Sequence, residues 1–583
     1  MGATTKYEKA KKVADEIDDN IISVLKSGKN FCVEAGAGTG KTYSLLKVLS
    51  WIEENRSDYL KITGKSVACI TYTNVAVEEI ANRLSANSSI VPSTIHSFAW
   101  DLIKDFQKDL IKSLSHIDLS KKYNEEEINS INNVNYTLGV RYIESSILYL
   151  SHDDVITLFS LFLDNKKFRF LISNRYPLIL IDEYQDSSKS IMDQFLNYFI
   201  ERTEGPQIGL FGDSWQTIYS LGQVCGEIVS DNIILIKKKS NFRSQEIIVD
   251  VLNKIRPNLT QISAIDDNNG KVIVILTNDY RGIRENSGYY KGELPEKILN
   301  EYINKVIIKL ESMGWSNDNG EIRKVFMLTH KLLSKQQGYS NLLEILDDGL
   351  KEMTDPHLLF FNNYVEPVYR SLKENNTALL YDTLRIRRPP LTSRSKKTIW
   401  KKFFLSLEKA RNSTIYDVLK CIKDSKLIPI PENISLLIDD YKKENTDILI
   451  DGVSKEVITK PVDLYSIKYK EVVKALKFFN ENSLYATNHG VKGTEFDNVI
   501  MVMGRGWNNY RFEDILYKNK KYLIEKDLKA YIRNRNLFYV GCSRAKKRLA
   551  IFITIPVNEH FCTYLENIFG KENIYNFYDF INN

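Results

Sequence analysis

Residues 35–42 read Ala35-Gly36-Ala37-Gly38-Thr39-Gly40-Lys41-Thr42, and their reading decides the fold. They follow the apolar run Phe31-Cys32-Val33 and precede a helical pattern carried by Leu45, Leu46 and Leu49. Strand, glycine-rich loop and helix in that order is the context of a phosphate-binding loop. Glycines let backbone N–H groups converge on phosphate oxygens with no Cβ in the way. The helix that follows adds its positive N-terminal end. Lys41 can then reach the β- and γ-phosphates of a nucleotide, and the Thr42 hydroxyl can serve Mg²⁺. The usual pattern begins with glycine where this chain has Ala35.

Working outward, Ser66-Val67-Ala68-Cys69-Ile70-Thr71-Tyr72-Thr73-Asn74 reads as an apolar strand with a polar end, followed by a helix over Val75–Leu84. Polar residues at the carboxyl ends of buried strands lie where open α/β sheets bind ligands. Val91-Pro92-Ser93-Thr94-Ile95-His96-Ser97-Phe98 reads as a further loop at that edge, and residues 99–170 as mostly helical. Leu178-Ile179-Leu180-Ile181 is a short, wholly apolar run of the kind found in central parallel strands. It ends in Asp182-Glu183-Tyr184-Gln185-Asp186. Downstream of a phosphate loop, the first carboxylate is placed to hold Mg²⁺ and the second to polarise the attacking water. A third strand, Ile208–Phe211, ends in Gly212-Asp213-Ser214-Trp215-Gln216, whose Gln216 is suited to sensing a γ-phosphate. Ser240-Asn241-Phe242-Arg243-Ser244 then offers an arginine between two halves of the chain.

The composition bounds the class. The chain has 583 residues, 43% hydrophobic and 26% charged, which suits several globular domains. No run of eighteen apolar residues and no signal pattern is present, so a cytoplasmic enzyme without a membrane partner is expected. The six cysteines form no C-x-x-C pair, which argues against zinc, iron–sulfur or disulfide frameworks. A net charge of +6 permits nucleic-acid binding without demanding it.

These stretches, in this order, resemble the UvrD/Rep group of superfamily 1 helicases. Ala35–Thr42 resembles the family's first motif, and Thr71-Tyr72-Thr73-Asn74 and Thr94-Ile95-His96-Ser97-Phe98 its next two. Asp182–Asp186, Gly212-Asp213 with Gln216 and Ile218-Tyr219, and Asn241-Phe242-Arg243-Ser244 follow the same order. Later, Thr487-Asn488-His489-Gly490-Val491-Lys492-Gly493-Thr494-Glu495-Phe496 and Leu537-Phe538-Tyr539-Val540-Gly541-Cys542-Ser543-Arg544-Ala545 resemble the last two.

The resemblance implies an α/β protein of two RecA-like domains with parallel sheets, each carrying an α-helical insertion. It divides the chain at 1–98, 99–172 (insertion), 173–240, 241–344, 345–480 (insertion) and 481–583. ATP would lie between the domains, with single-stranded DNA and DNA junctions as partners. Lys41, Asp182, Glu183, Gln216, Arg243 and Arg544 would be catalytic, the two arginines acting as arginine fingers. Residues 35–42 and Glu495 would hold the nucleotide, and Thr42 and Asp182 the Mg²⁺. Tyr72, Thr73, Asn74, His96, Thr487 and His489 would touch DNA. The expected activity is DNA-dependent ATP hydrolysis with 3′–5′ translocation and unwinding. The alternative is an ATP-switched, DNA- or nucleotide-sensing subunit that controls a separate nuclease, as in anti-phage pairs such as Gabija. About 28 residues follow Ile555, too few for a nuclease domain, so cleavage is expected to need a partner.

Three departures stand out. Residues 1–42 contain no Gln to read adenine, Val75 replaces a Lys, and Tyr219-Ser220-Leu221-Gly222 lacks the family's base-stacking Trp. Trp215, Trp507 and Tyr510 are candidates to compensate. Basic runs at Arg385–Arg388 and Arg394–Lys397 are candidate phosphate contacts.

Overall fold

The computed structural model describes residues 5–582 apart from 121–122, 137–140, 203–204, 218–223, 268, 287, 316–320, 328–332, 335–336, 352, 354, 385–393, 432–433, 436, 440, 442–463, 481–483, 488–493 and 506–509. In chain order the first half provides β1 (Asn30–Ala35), β2 (Val67–Thr71), β3 (Ile90–Thr94), β4 (Asn133–Tyr136), β5 (Tyr142–Glu144), β6 (Ile147–Leu150), β7 (Leu178–Asp182), β8 (Gln207–Gly212) and β9 (Ile233–Lys238). The second provides β10 (Ser240–Asn241), β11 (Ile262–Ser263), β12 (Lys271–Leu276), β13 (Arg323–Met327), β14 (Tyr485–Thr487), β15 (Phe496–Met503), β16 (Ala545–Ile553) and β17 (Ile574–Asn576).

Two six-stranded sheets organise these strands, in the orders β3-β2-β7-β8-β1-β9 and β14-β13-β15-β16-β12-β17. Every pairing within them is parallel. The fold class read from the sequence therefore holds: α/β, with two RecA-like parallel sheets. Side chains of a strand alternate between faces, and the cores follow that period. In β7, Ile179 and Ile181 join one cluster with Phe98, Leu158 and Phe195. Leu178 and Leu180 join the opposite one with Leu45, Val48 and Ile52 of the helix Lys41–Thr63. In β15, Val499 and Met501 face one side and Ile500 and Val502 the other.

Two local readings change. Val91–Phe98 is not a loop: β3 pairs with β2 and runs straight into the helix Ile95–Ile103, which Thr94 caps by accepting from Ser97 N–H. Pro92 is tolerated because β3 is an edge strand. Residues 133–136, 142–144 and 147–150 form a small sheet, β4-β6-β5, rather than helix. Asn-rich and β-branched residues there lack helical periodicity, and the stacked pair Tyr142–Tyr149 (4.5 Å between centroids) joins β5 to β6. The predicted helix at Val75–Leu84 is observed as Asn74–Ala81. A separate helical core gathers residues between Tyr339 and Leu476. Among the described residues no helix is long and apolar enough to cross a membrane.

Candidate nucleotide site

The loop after β1 is shaped by backbone that only glycine adopts cheaply. Gly38 and Gly40 have φ of +79° and +72°. A Cβ on Gly38 would lie 2.6 Å from Asn241 Oδ1, and one on Gly36 would collide with the Gln261 amide. The tightness has a cause: β10 packs directly on the loop. Asn241 Nδ2 donates to Ala37 O at 3.0 Å, and Phe242 N–H to Gly38 O at 2.9 Å. Gly40 then starts the helix Lys41–Thr63 with no capping side chain, leaving helix-terminal N–H groups for an anion.

Lys41 reaches two carboxylates at the end of β7. Its Nζ lies 2.8 Å from Asp182 Oδ1 and 2.6 Å from Glu183 Oε1. Burial alone would lower the ammonium pKa, but the two carboxylates hold it above its ordinary value. Burial, together with the neighbouring Glu183 charge, holds the Asp182 carboxyl above its usual range despite Lys41. Glu183 has φ +50°, and Gln185 Nε2 donates to its Oε2 at 2.5 Å. Gly212, ending β8, lets Tyr184 and Gln185 close in where any side chain would clash. Tyr184 in turn donates to Glu34 Oε2 at 2.9 Å.

The second sheet contributes across the same cleft. Residues 35–42, Glu183, Asp213, Gln216, Phe242, Arg243, Glu495 and Arg544 line one cavity of about 330 Å³. Arg544 Nη2 donates to Gln216 Oε1 at 2.9 Å, and Arg243 Nε lies 2.5 Å from Glu495 Oε2. Burial, with the like charge of Arg243, pushes the Arg544 pKa down to about 10. Two arginines that oppose each other's charge in a buried cleft gain from an anion placed between them. Phosphoryl transfer needs this arrangement: donors and cations fixed where negative charge is carried.

Lys41, Thr42, Glu183, Gln216, Arg243, Arg544 and Glu495 are thus brought together, with Asp182 bound to Lys41 behind them. The residues expected at DNA are placed less decisively. Tyr72 (48% exposed) and Thr73, which caps the helix Asn74–Ala81, follow β2. Thr71 is opposite Thr94 in the register, so this edge adjoins His96. The His96 ring lies tilted against His152, 4.6 Å between centroids, and His152 Nδ1 meets the Tyr136 hydroxyl at 2.6 Å. Burial and the His152 charge push the His96 pKa down to about 4, so it is neutral at physiological pH. Thr487 ends β14. His489, Trp507, Leu221 and Arg385–Arg388 lie outside the described residues. Of the other aromatics offered for base stacking, Trp215 is covered by Arg535 at 3.7 Å and edged by Tyr539 at 5.7 Å, and Tyr510 is core. Both are packing residues.

Sequence reading passed over Phe242, Tyr539 and Arg256. Phe242 is one letter inside a quoted stretch, and its ring borders the cleft beside Tyr7. Tyr539 accepts from Ala37 N–H at 3.4 Å across 502 residues. Arg256 has no local signal at all.

The comparisons with known proteins agree with this geometry. An AAA domain model matches residues 19–222, and a UvrD-like helicase C-terminal domain model matches residues 481–555. The chain is similar to Gabija protein GajB of Bacillus cereus (strain HuB5-5), 27% identical over 94% of this chain and 96% of that protein. It is similar to a probable DNA helicase II homolog of Rickettsia conorii, 22% identical over 91% of each. A probable DNA helicase II homolog of Mycoplasma capricolum is 25% identical over 52% of this chain and 49% of its own length. With the phosphate loop, the paired carboxylates and both arginines meeting in one cleft between two parallel sheets, the matched domains and the site together are those of a UvrD-like ATP-dependent helicase.

Proposed function

We propose that this chain hydrolyses ATP in the cleft, translocates 3′–5′ on single-stranded DNA and unwinds duplex at junctions. The observation that carries the reading is the meeting of Lys41 and Glu183 from the first sheet's edge with Arg243 and Arg544 from the second half. Residues 1–98 with 173–240, and 241–344 with 481–583, are the two motor domains of this reading, and 99–172 and 345–480 their insertions. Glu183 positions and polarises the attacking water. Lys41 and the loop N–H groups hold the phosphates. Gln216 senses the γ-phosphate, and Arg243 and Arg544 neutralise charge on the transferring group. Because the arginines come from the other domain, hydrolysis depends on how the two domains stand, and that dependence converts turnover into movement.

The donors at the loop, a Thr hydroxyl and a buried carboxylate, are the hard oxygen set that Mg²⁺ takes alongside substrate phosphates. Thr42 and Asp182 would hold the ion, which supplies charge neutralisation at the phosphates when bound. Phe242 offers a ring to the nucleotide base, in a chain with no upstream Gln. Tyr72, Thr73, Asn74, His96, Thr487 and His489 are the proposed DNA contacts, His96 as a neutral hydrogen-bonding group. A cytoplasmic location is part of this reading.

The test is steady-state ATP hydrolysis with and without single-stranded DNA, with Lys41→Ala and Glu183→Gln as controls. Stimulation by DNA that both changes abolish is the expected result. Hydrolysis that ignores DNA would overturn translocation. A second reading, an ATP-switched subunit governing a separate nuclease in anti-phage defence, has support from Trp215. That ring is partly buried and covered by Arg535, which on this reading takes it from base stacking, at about 1–3 kcal/mol per lost stack. The similarity to GajB along nearly the whole chain supports it too. Robust unwinding of a forked duplex by the chain alone would exclude the switch-only form.

A further inference from the structure

Arg256 ends the helix Glu246–Ile255, whose Ile248, Val251, Leu252 and Ile255 pack into the core of the second sheet. Its own side chain joins the first half instead. Nη2 lies 2.5 Å from Glu34 Oε1 and Nη1 2.6 Å from Asp213 Oδ1, and the residue is 2% exposed. Glu34 sits on β1 immediately before the phosphate loop, and Asp213 follows β8 three residues before Gln216. The rings of Trp215 and Tyr539 lie 5.1 and 5.4 Å from its guanidinium carbon. A planar fork is the cation shape that holds two carboxylates at once and lies against aromatic rings. Burial would push its pKa down, but Asp213 and Glu34 keep it above its ordinary value, so it is always charged.

Asp213 is shared. Its Oδ1 takes Arg256, while its Oδ2 accepts from Gln216 Nε2 at 2.7 Å. Gln216 Oε1 then accepts from Arg544 Nη2 at 2.9 Å. The chain of contacts leaves the second domain at Arg256, crosses the loop of the first, and returns to the second at Arg544. A branch passes through the Tyr539 hydroxyl, 3.5 Å from Arg256 Nη1, to Ala37 N–H of the phosphate loop. Arg256 is absent from the lining of the cleft, so it acts through these neighbours.

We propose that Arg256 is a positioning residue for hydrolysis: it fixes Asp213, and through it the Gln216 amide, against Arg544, so that domain closure and γ-phosphate sensing are one event. The proposal rests on the hydrolytic reading above. It separates Arg256 from mere interdomain adhesive, which would lower stability and leave turnover of the folded protein intact.

The test uses the full chain with Arg256→Lys, Arg256→Met, Gln216→Ala and the double variant Arg256→Lys/Gln216→Ala. Lysine keeps the charge and gives up the fork. In Arg256→Lys, kcat for ATP falls about 10- to 100-fold while KM stays within about twofold. The double variant is no slower than Gln216→Ala alone, because the two residues act in series. Affinity for ADP–aluminium fluoride relative to ADP falls with kcat, since that ratio reads complementarity to the transition state. An unchanged kcat in folded Arg256→Lys, or losses that multiply in the double variant, overturns the proposal. Should Arg256→Met fail to fold, Asp213→Asn breaks the same chain from the other side and must reproduce the kcat loss. If the wild type does not hydrolyse ATP, the functional reading fails separately, and the ADP–aluminium fluoride ratio across the variants still decides the role of Arg256.

Discussion

Glu183 occupies left-handed backbone at the end of β7, with Lys41 on one carboxylate oxygen and Gln185 on the other. A non-glycine residue pays about 1–2 kcal/mol for that conformation, which here turns the carboxylate into the cleft. Glu183→Gln keeps the shape and removes the proposed base. ATP hydrolysis is expected to fall about 10²- to 10⁴-fold with nucleotide affinity retained, read by single-turnover kinetics and fluorescent-nucleotide titration. His96 gives a second prediction at this scale. Its folded pKa of about 4 lies below the usual 6.5, so its stabilising contribution is full above pH 6.5 and is lost as pH falls toward 4. The difference in Tm between wild type and His96→Asn should therefore shrink between pH 7 and pH 5, by differential scanning calorimetry. Lys41, Asp182 and Glu183 were legible as residues because their spacing from the glycines and from an apolar run carries chemistry. The His96–His152 contact was not, since fifty-six positions separate two residues with no motif between them.

The elements are set by apolar periodicity, and the two central strands show its energetic weight. Ile500, 1% exposed in β15, fills the face opposite Val499 and Met501. Ile500→Ala should destabilise the second sheet by about 2–5 kcal/mol, seen as an earlier urea transition with the first sheet's transition unmoved. The phosphate loop is an element held from outside. Gly38→Ala puts a Cβ against Asn241 and onto a φ of +79°, so it should both weaken nucleotide binding and lower Tm. Gly40, whose Cβ meets only Tyr43 Cβ at 3.7 Å, is strained by its φ alone. Strands with continuous apolar runs were readable; β4, β5 and β6 were not, because each has three or four residues and polar neighbours, too short for a period to emerge.

Across the whole molecule the nucleotide cleft joins the two sheets, so anything bound there links their stabilities. Nucleotide at about 100 times its Kd should add about 2.7 kcal/mol, raising Tm in thermal shift, and Lys41→Ala should cancel the increase. Single-stranded DNA affinity should fall steeply between 50 and 200 mM salt, in proportion to the phosphates neutralised, by fluorescence anisotropy. The basic helix Arg394–Ala410, with Trp400, Phe403 and Leu407 anchored in the helical core, holds its cations on the surface where they can add to that slope.

The sequence by itself determined the local chemistry: glycines that admit phosphate, carboxylates at the end of an apolar strand, arginines in two recognisable stretches, and the strand–helix alternation that makes parallel sheets. Each of these is a property of a few neighbouring residues. Only the tertiary structure decided which of them meet. Arg544 reaches Gln216 across 328 positions, Tyr539 reaches Ala37 across 502, and Arg256 joins Glu34 to Asp213. It also packed Trp215 between Arg535 and Tyr539 of the second half. The physical reason is that a buried charge or ring is placed by whatever partner lowers its free energy, and that partner is chosen by how two sheets dock rather than by anything near it in the chain.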